Sequence, residues 1–97
     1  MTLNKIMLEA IFGACCNGAT APSYITRFIS DNFIQLKLIQ PEDVEAFELK
    51  VKETITMLKQ TRMLAVEYYC DGEFHVIATD NFADLLGYNF KEAESIC

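Results

Sequence analysis

The chain has 97 residues, of which 52% are hydrophobic and 23% are charged, a composition typical of one globular domain rather than of a disordered segment. Its formal net charge is −6, and the excess lies in residues 64–97, where Lys91 stands against seven acidic residues. This distribution excludes a uniformly basic nucleic-acid-binding domain, and no apolar run reaches the roughly 18–20 residues that a membrane span needs.

The N-terminal segment has the wrong charge pattern for a signal peptide. Its early positive charge is the single Lys5, and Glu9 interrupts the apolar stretch that follows. The cysteines also lack the paired short spacings of disulfide frameworks and zinc sites: Cys15, Cys16, Cys70 and Cys97. We therefore expect reduced thiols in an intracellular protein, cytoplasmic or nuclear, that holds no metal and no cofactor.

Two amphipathic helices are predicted in the first third of the chain. The first covers residues 4–16, with Asn4 as its N-cap and Asn17-Gly18 as its C-terminal stop. The second begins at Pro22, a residue suited to the first turn of a helix, and is predicted to end near Asn32. Its apolar face, which we expect to pack on the core, comprises Tyr24, Ile25, Phe28, Ile29 and Phe33.

Residues 34–40 are ambiguous, but the alternation of apolar and polar side chains indicates a short extended segment. Pro41 then opens a third helix, with acidic residues in its first turn, that is predicted to reach about Arg62. The helix is long enough that a break near Phe47 would be compatible with the pattern. Its core face lies within about 80° on a helical wheel and comprises Val44, Phe47, Val51, Ile55 and Leu58.

A β-hairpin follows, and the side-chain pattern favours one register. A two-residue loop at Asp71-Gly72 would mix polar and apolar side chains on both faces of the hairpin. A three-residue loop of residues 70–72, with Gly72 in the left-handed conformation, gives one apolar face instead. Its apolar pairs are Leu64 with Ala78, Val66 with Val76 and Tyr68 with Phe74. We predict this second register, with its apolar face on the helices.

The same register defines the outer face of the hairpin. There Glu67 lies opposite His75, which we expect to be exposed, and Tyr69 lies opposite Glu73. Beyond the hairpin, Asp80 and Asn89 are candidate N-caps for two short helices. The predicted organisation is a main domain of residues 1–79 and a helical extension, residues 80–97, that packs on the same domain.

Three helices followed by a two-stranded hairpin is the order of elements in a winged-helix domain. The spacing Val51-x3-Ile55-x2-Leu58-x5-Leu64-x-Val66, followed by a turn and Phe74-x-Val76, resembles the passage from the third helix into the wing. Residues 6–11, 23–33 and 54–64 resemble the helices of the linker-histone globular-domain variant, a likeness that spans about residues 5–78. The resemblance implies an α+β fold: a three-helix winged-helix (winged helix-turn-helix) domain with a C-terminal β-hairpin wing and a short helical tail.

The sequence departs from that family in its charge. The family's wing is glycine-rich and basic, whereas residues 70–73 read Cys-Asp-Gly-Glu and are short and acidic. The sequence also contains no recognisable catalytic motif. It has a single histidine and no phosphate-binding loop, metal-ligand cluster or nucleophile elbow. We therefore expect a protein that is not an enzyme.

Protein interaction is the function that these features favour, and winged helices as a family serve it. An acidic wing and tail suit a basic partner, or imitate the charge of a nucleic-acid backbone. We expect an adapter or inhibitor within nucleic-acid-associated machinery. An adapter would act in transcription or chromatin regulation, and an inhibitor would be a viral or mobile-element protein that blocks such machinery. The candidate contact residues are Glu67, Tyr69, Asp71, Glu73 and Tyr88.

DNA binding through the third helix is the alternative. Four basic residues would contact phosphates and one amide would read a base: Arg27, Lys50, Lys52, Lys59 and Gln60. Glu53 at the outward apex of the helix and the acidic wing would repel phosphates, which handicaps this alternative. A homodimer is also compatible with the long third helix and the apolar segment after the second.

Overall fold

The computed structural model describes residues 3–68 and 74–87, which form four α-helices and a two-stranded antiparallel sheet. The prediction of an α+β domain is confirmed at this level. In chain order the elements are α1 (Leu3–Cys15), α2 (Pro22–Gln35), a 3₁₀ turn (Pro41–Asp43), α3 (Val44–Gln60), β1 (Leu64–Tyr68), β2 (Phe74–Ala78) and α4 (Asp80–Leu86). Helix α1 agrees with its predicted bounds to within one residue at each end.

One hydrophobic core joins all of these helices and strands. The predicted inner face of α3 is correct, since four of its five residues are buried and Val44 is half-buried. Helix α3 is continuous through Phe47, and the change of helical geometry comes earlier, at the 3₁₀ turn. The buried apolar residues are Met7, Ile11, Phe12, Cys15, Ile25, Ile29, Phe33, Phe47, Val51, Ile55, Leu58, Leu64, Val76, Phe82 and Ala83.

The predicted inner face of α2 is partly wrong. Ile25, Ile29 and Phe33 are buried, but Tyr24 is 61% exposed and Phe28 is 47% exposed. At about 100° per residue, Phe33 lies opposite Tyr24 on the wheel, so the two rings cannot both reach the core. Thr26 and Ser30 complete the buried face, and the hydroxyl of Thr26 donates to the Pro22 carbonyl at 2.8 Å. This local bond lets a polar side chain enter the core without an unsatisfied donor.

The C-terminal end of α2 also differs from its prediction, because the helix continues to Gln35 and no extended segment follows. Lys37 adopts a left-handed conformation, with φ of 61°. Its N–H donates to the Ile34 carbonyl at 3.0 Å, and the N–H of Leu38 donates to the Phe33 carbonyl at 2.8 Å. These two bonds form a Schellman motif, in which the left-handed residue is usually glycine.

Helix α3 ends in the same way. Arg62 has φ of 65°, its N–H donates to the Lys59 carbonyl at 3.2 Å, and the N–H of Met63 donates to the Leu58 carbonyl at 2.9 Å. Both helix stops therefore use a basic residue where the sequence signal would be glycine, which is why the end of α2 is not visible in the sequence.

Replacing Lys37 by glycine is expected to raise the free energy of unfolding by about 0.5–1 kcal/mol, because glycine adopts positive φ without steric strain. Urea unfolding followed by circular dichroism measures the change. Lys37→Ala is the matched control, since it removes the same side chain but keeps Cβ and therefore the strain. Equal stability of the glycine and alanine variants would contradict the expectation.

The hairpin register is confirmed. Leu64 pairs with Ala78, Val66 with Val76, Glu67 with His75 and Tyr68 with Phe74. Leu64 and Val76 are buried on the predicted inner face, whereas Val66, in the middle of β1, is 38% exposed. The proposed loop at residues 70–72 and the pair of Tyr69 with Glu73 lie outside the described residues. His75 is half-buried rather than exposed, which corrects that expectation.

A short bridge fixes the hairpin to the helices. The N–H of Thr20 donates to the Val76 carbonyl and the N–H of Val76 donates to the Thr20 carbonyl, each at 2.9 Å. The Thr20 hydroxyl also donates to the Ala14 carbonyl at 3.1 Å. The link between α1 and α2 therefore lies along β2 and holds it against the end of α1.

Helix α4 packs into the same core as the preceding elements. Phe82 is fully buried, and its ring packs against the Phe12 ring in a T-shaped arrangement with centroids 5.3 Å apart. Thr79 precedes the helix, and its hydroxyl lies 2.8 Å from the Arg62 carbonyl and 3.1 Å from the Met63 carbonyl. The predicted N-cap, Asp80, is instead the first helical residue. The second predicted tail helix, from Asn89, lies outside the described residues.

Candidate functional site

An open cleft of about 470 Å³ lies between α2 and α3. It carries two basic residues, one carboxylate, one tyrosine ring and two aliphatic hydroxyls from the first turns of α2. Its lining residues are Ser23, Tyr24, Thr26, Arg27, Glu48 and Lys52, and we call it the α2–α3 cleft. Its volume falls within the range of roughly 300–1,000 Å³ that is usual for ligand sites.

Two of the predicted nucleic-acid contacts, Arg27 and Lys52, meet in this cleft. Arg27 is exposed on α2, and Lys52 is exposed on the flank of α3 that faces it. The sequence could not show this proximity, because the two residues are on different helices. Their cationic groups give the cleft a local positive charge within an acidic protein.

Glu48 is the only carboxylate among the lining residues of the cleft, and it is held by a buried partner. The hydroxyl of Ser30, which is almost fully buried, lies 2.9 Å from Glu48 Oε2 and 3.0 Å from the Arg27 carbonyl. A hydrogen bond to the carboxylate fixes the side chain of Glu48 against α2 and also links α2 to α3.

An exposed aromatic pair lies beside the cleft. The rings of Tyr24 and Phe28 stack on the outer face of α2, with centroids 6.2 Å apart and an interplanar angle of 14°. Tyr24 belongs to both the pair and the cleft lining. The sequence prediction missed this surface because it assigned both rings to the core. The opposite positions of Tyr24 and Phe33 on the helical wheel show that one of these two rings must stay outside the core, but not which one.

The other predicted phosphate contacts do not join this site. Lys50 lines a separate cleft of about 250 Å³ with residues of α1. Lys59 is half-buried, and its Nζ lies 4.4 Å from the centroid of the Phe74 ring in a cation–π contact between α3 and the hairpin. Gln60 is exposed at the last position of α3. The predicted basic set is thus divided among three places.

The predicted acidic contact surface is described only in part. Glu67 is exposed on β1, opposite His75. Tyr69, Asp71, Glu73 and Tyr88 lie outside the residues that the structure describes.

Within residues 3–68 and 74–87, no group of three or more His, Cys, Asp or Glu side chains is placed to hold a metal ion. No helix in the same part of the chain combines the length and the apolar character needed to cross a bilayer. Comparison of the chain with protein-family models, with curated proteins and with solved structures gives no match.

Proposed function

We propose that this chain is a non-enzymatic winged-helix module that acts by binding a protein partner, as an adapter or inhibitor within nucleic-acid-associated machinery. The observation that carries the proposal is the exposed pair Tyr24 and Phe28 beside the α2–α3 cleft. Aromatic side chains are enriched among the residues that dominate protein–protein binding energies. Two such rings held outside a core that already contains several phenylalanines are best explained by a partner that covers them.

The arrangement of elements supports the winged-helix part of the proposal. Three helices precede the hairpin, and its register places one apolar face on the helical core. The bridge between Thr20 and Val76 anchors the hairpin beside the link that joins α1 and α2. A hairpin that follows the third helix and packs on the helical core is compatible with the wing of a winged-helix domain.

DNA binding through α3 is the second candidate, favoured by the meeting of Arg27 and Lys52 in one cleft. Other observations weigh against it. Lys59 already contacts Phe74, and Lys50 lies in a different cleft. Glu53 is exposed on the outward side of α3, where it would approach phosphates. Non-specific DNA affinity depends on many neutralised phosphates, and two neighbouring cations supply few.

A paired experiment separates the two candidates. The tagged full chain and its Tyr24→Ser/Phe28→Ser variant are compared for proteins captured by cross-linking in cells of the native source. We expect captured partners to be lost from the variant and retained by Leu85→Ser, a control that changes an equally exposed apolar residue on α4. These exposed positions should tolerate substitution with about 0.5 kcal/mol or less of lost stability.

The second arm measures fluorescence anisotropy of a random-sequence DNA duplex at low and high salt. The proposal predicts no binding of the wild-type chain in the range of about 10⁻⁶–10⁻⁴ M that is typical of non-specific DNA binders. Salt-sensitive binding that is abolished by Arg27→Glu/Lys52→Glu would overturn it in favour of DNA.

A further inference from the structure

The charge balance of the α2–α3 cleft differs in sign from that of the whole chain. The net charge of the protein is −6, yet the cleft brings together two cations, Arg27 and Lys52, and one carboxylate. That carboxylate, on Glu48, is engaged by the buried hydroxyl of Ser30. The groups with the most remaining capacity to bind are therefore the guanidinium and the ammonium, and both are donors suited to an anionic partner.

The aromatic pair adds an apolar requirement to the same site. Tyr24 lines the cleft and stacks on Phe28, so the cations and the two rings form one continuous surface. A free phosphate or a simple carboxylate would satisfy the cations but leave both rings in water. An occupant that carries carboxylates and a large apolar side chain would satisfy both parts, because removing the rings from water is itself favourable.

We propose that the α2–α3 cleft binds an acidic peptide segment of the protein partner. Its carboxylates pair with Arg27 and Lys52, and a neighbouring aromatic or aliphatic side chain packs on Tyr24 and Phe28. This inference rests on the proposed protein-binding function and specifies the chemical character of the partner segment that the cleft binds. It also differs from the basic partner expected from the acidic hairpin, because a different surface carries it.

A nucleic acid is a poorer occupant on the same observations. Single strands also stack on aromatic rings, but they need a positive groove that follows the backbone over several nucleotides. Here the cations at the cleft are flanked by exposed Asp31 on α2 and by Glu48 and Glu53 on α3. A peptide needs only the two cations and the rings, so its carboxylates avoid the repulsion that a longer polyanion would meet.

Selection from a random peptide library tests the inference directly. Phage that display random peptides of about 12 residues are selected on the immobilised full-length chain. We expect the enriched peptides to be net acidic and to contain at least one aromatic or large aliphatic residue. One enriched peptide is then synthesised with a fluorophore, and its anisotropy gives Kd for each variant.

Three variants locate the binding site. Arg27→Glu/Lys52→Glu and Tyr24→Ala/Phe28→Ala are each expected to weaken peptide binding by roughly tenfold or more, the scale of one lost charge-assisted bond or apolar anchor. Lys37→Glu/Lys50→Glu is the matched control, since it makes the same charge reversal at exposed residues outside the cleft and should change Kd less than about twofold. Circular dichroism and urea unfolding verify that each variant is folded.

The outcomes separate this inference from the function on which it rests. Absence of enrichment, enrichment of basic peptides, or equal weakening in the control variant would overturn the acidic-peptide inference. Enriched basic peptides whose binding still requires Tyr24 and Phe28 would overturn the acidic-peptide inference but would leave the proposed protein-binding function standing. Direct binding of fluorescent oligo(dT) or duplex DNA that is lost in Arg27→Glu/Lys52→Glu, without any enriched acidic peptide, would overturn both proposals.

Discussion

Replacement of Phe82 by alanine is expected to lower the free energy of unfolding by about 3–5 kcal/mol. The ring is fully buried and meets Phe12 edge to face, so truncation removes apolar burial, the aromatic contact and the filling of a central volume. The total free energy of unfolding of a domain of this size is roughly 5–15 kcal/mol, so the loss would be a large part of the stability. Urea unfolding followed by far-UV circular dichroism measures the change.

Leu85→Ala provides the comparison within the same helix. Leu85 is 56% exposed, so its truncation should change stability by about 0.5 kcal/mol or less. If Phe82→Ala cost no more than Leu85→Ala, α4 would not belong to the cooperative core. If the Phe82 variant fails to fold, Phe82→Leu, which keeps most of the apolar volume, should restore folding with an intermediate loss.

Stability is expected to fall above pH 9 because of one buried thiol. Burial raises the pKa of Cys15 from 9.0 to about 12; the neighbouring Cys16 adds to the rise, and a backbone hydrogen bond at Ala78 opposes it. The protonated thiol also donates to the Ile11 carbonyl at 3.1 Å. Above pH 9 the unfolded chain releases this proton while the folded chain keeps it. The free energy of unfolding therefore decreases by about 1.4 kcal/mol per pH unit until about pH 12.

Comparison with Cys15→Ala isolates this contribution, since the other titrating groups are common to both chains. Between pH 9 and 11 we expect the wild-type chain to lose about 2 kcal/mol more than the alanine variant. Cys16→Ala should keep most of the dependence, because burial of Cys15 is the main cause of its pKa shift. Parallel pH profiles for wild type and Cys15→Ala would show that Cys15 is not buried in the folded state.

Patterns with a fixed period were the most informative part of the sequence. The inner face of α3 and the hairpin register were both predicted correctly. For the hairpin, the alternative register would have placed Glu67 opposite Val76 and mixed polar with apolar side chains on the face that packs on the core. The end of α2 was predicted wrongly for an equally local reason. Its stop uses Lys37 in a conformation for which glycine is the usual marker, so the sequence carried no recognisable signal.

The candidate site shows the limit of such patterns. Arg27 and Lys52 were recognised as accessible cations, but their meeting depends on how α2 packs on α3. The bond between Ser30 and Glu48 joins residues 18 positions apart, and no local rule predicts it. Tyr24 and Phe28 were placed in the core because hydrophobicity alone does not say which of several apolar side chains a helix will bury.

The sequence by itself determined the α+β class, the order of the described helices and hairpin strands, and the pairing of the strands, because helix and strand periods and strand register are properties of neighbouring residues. The tertiary structure alone decided which apolar residues of α2 remain outside and which charges share a cleft. Those outcomes depend on the limited space between packed helices, where Ile25, Ile29 and Phe33 fill the core and leave the aromatic pair on the surface beside two cations.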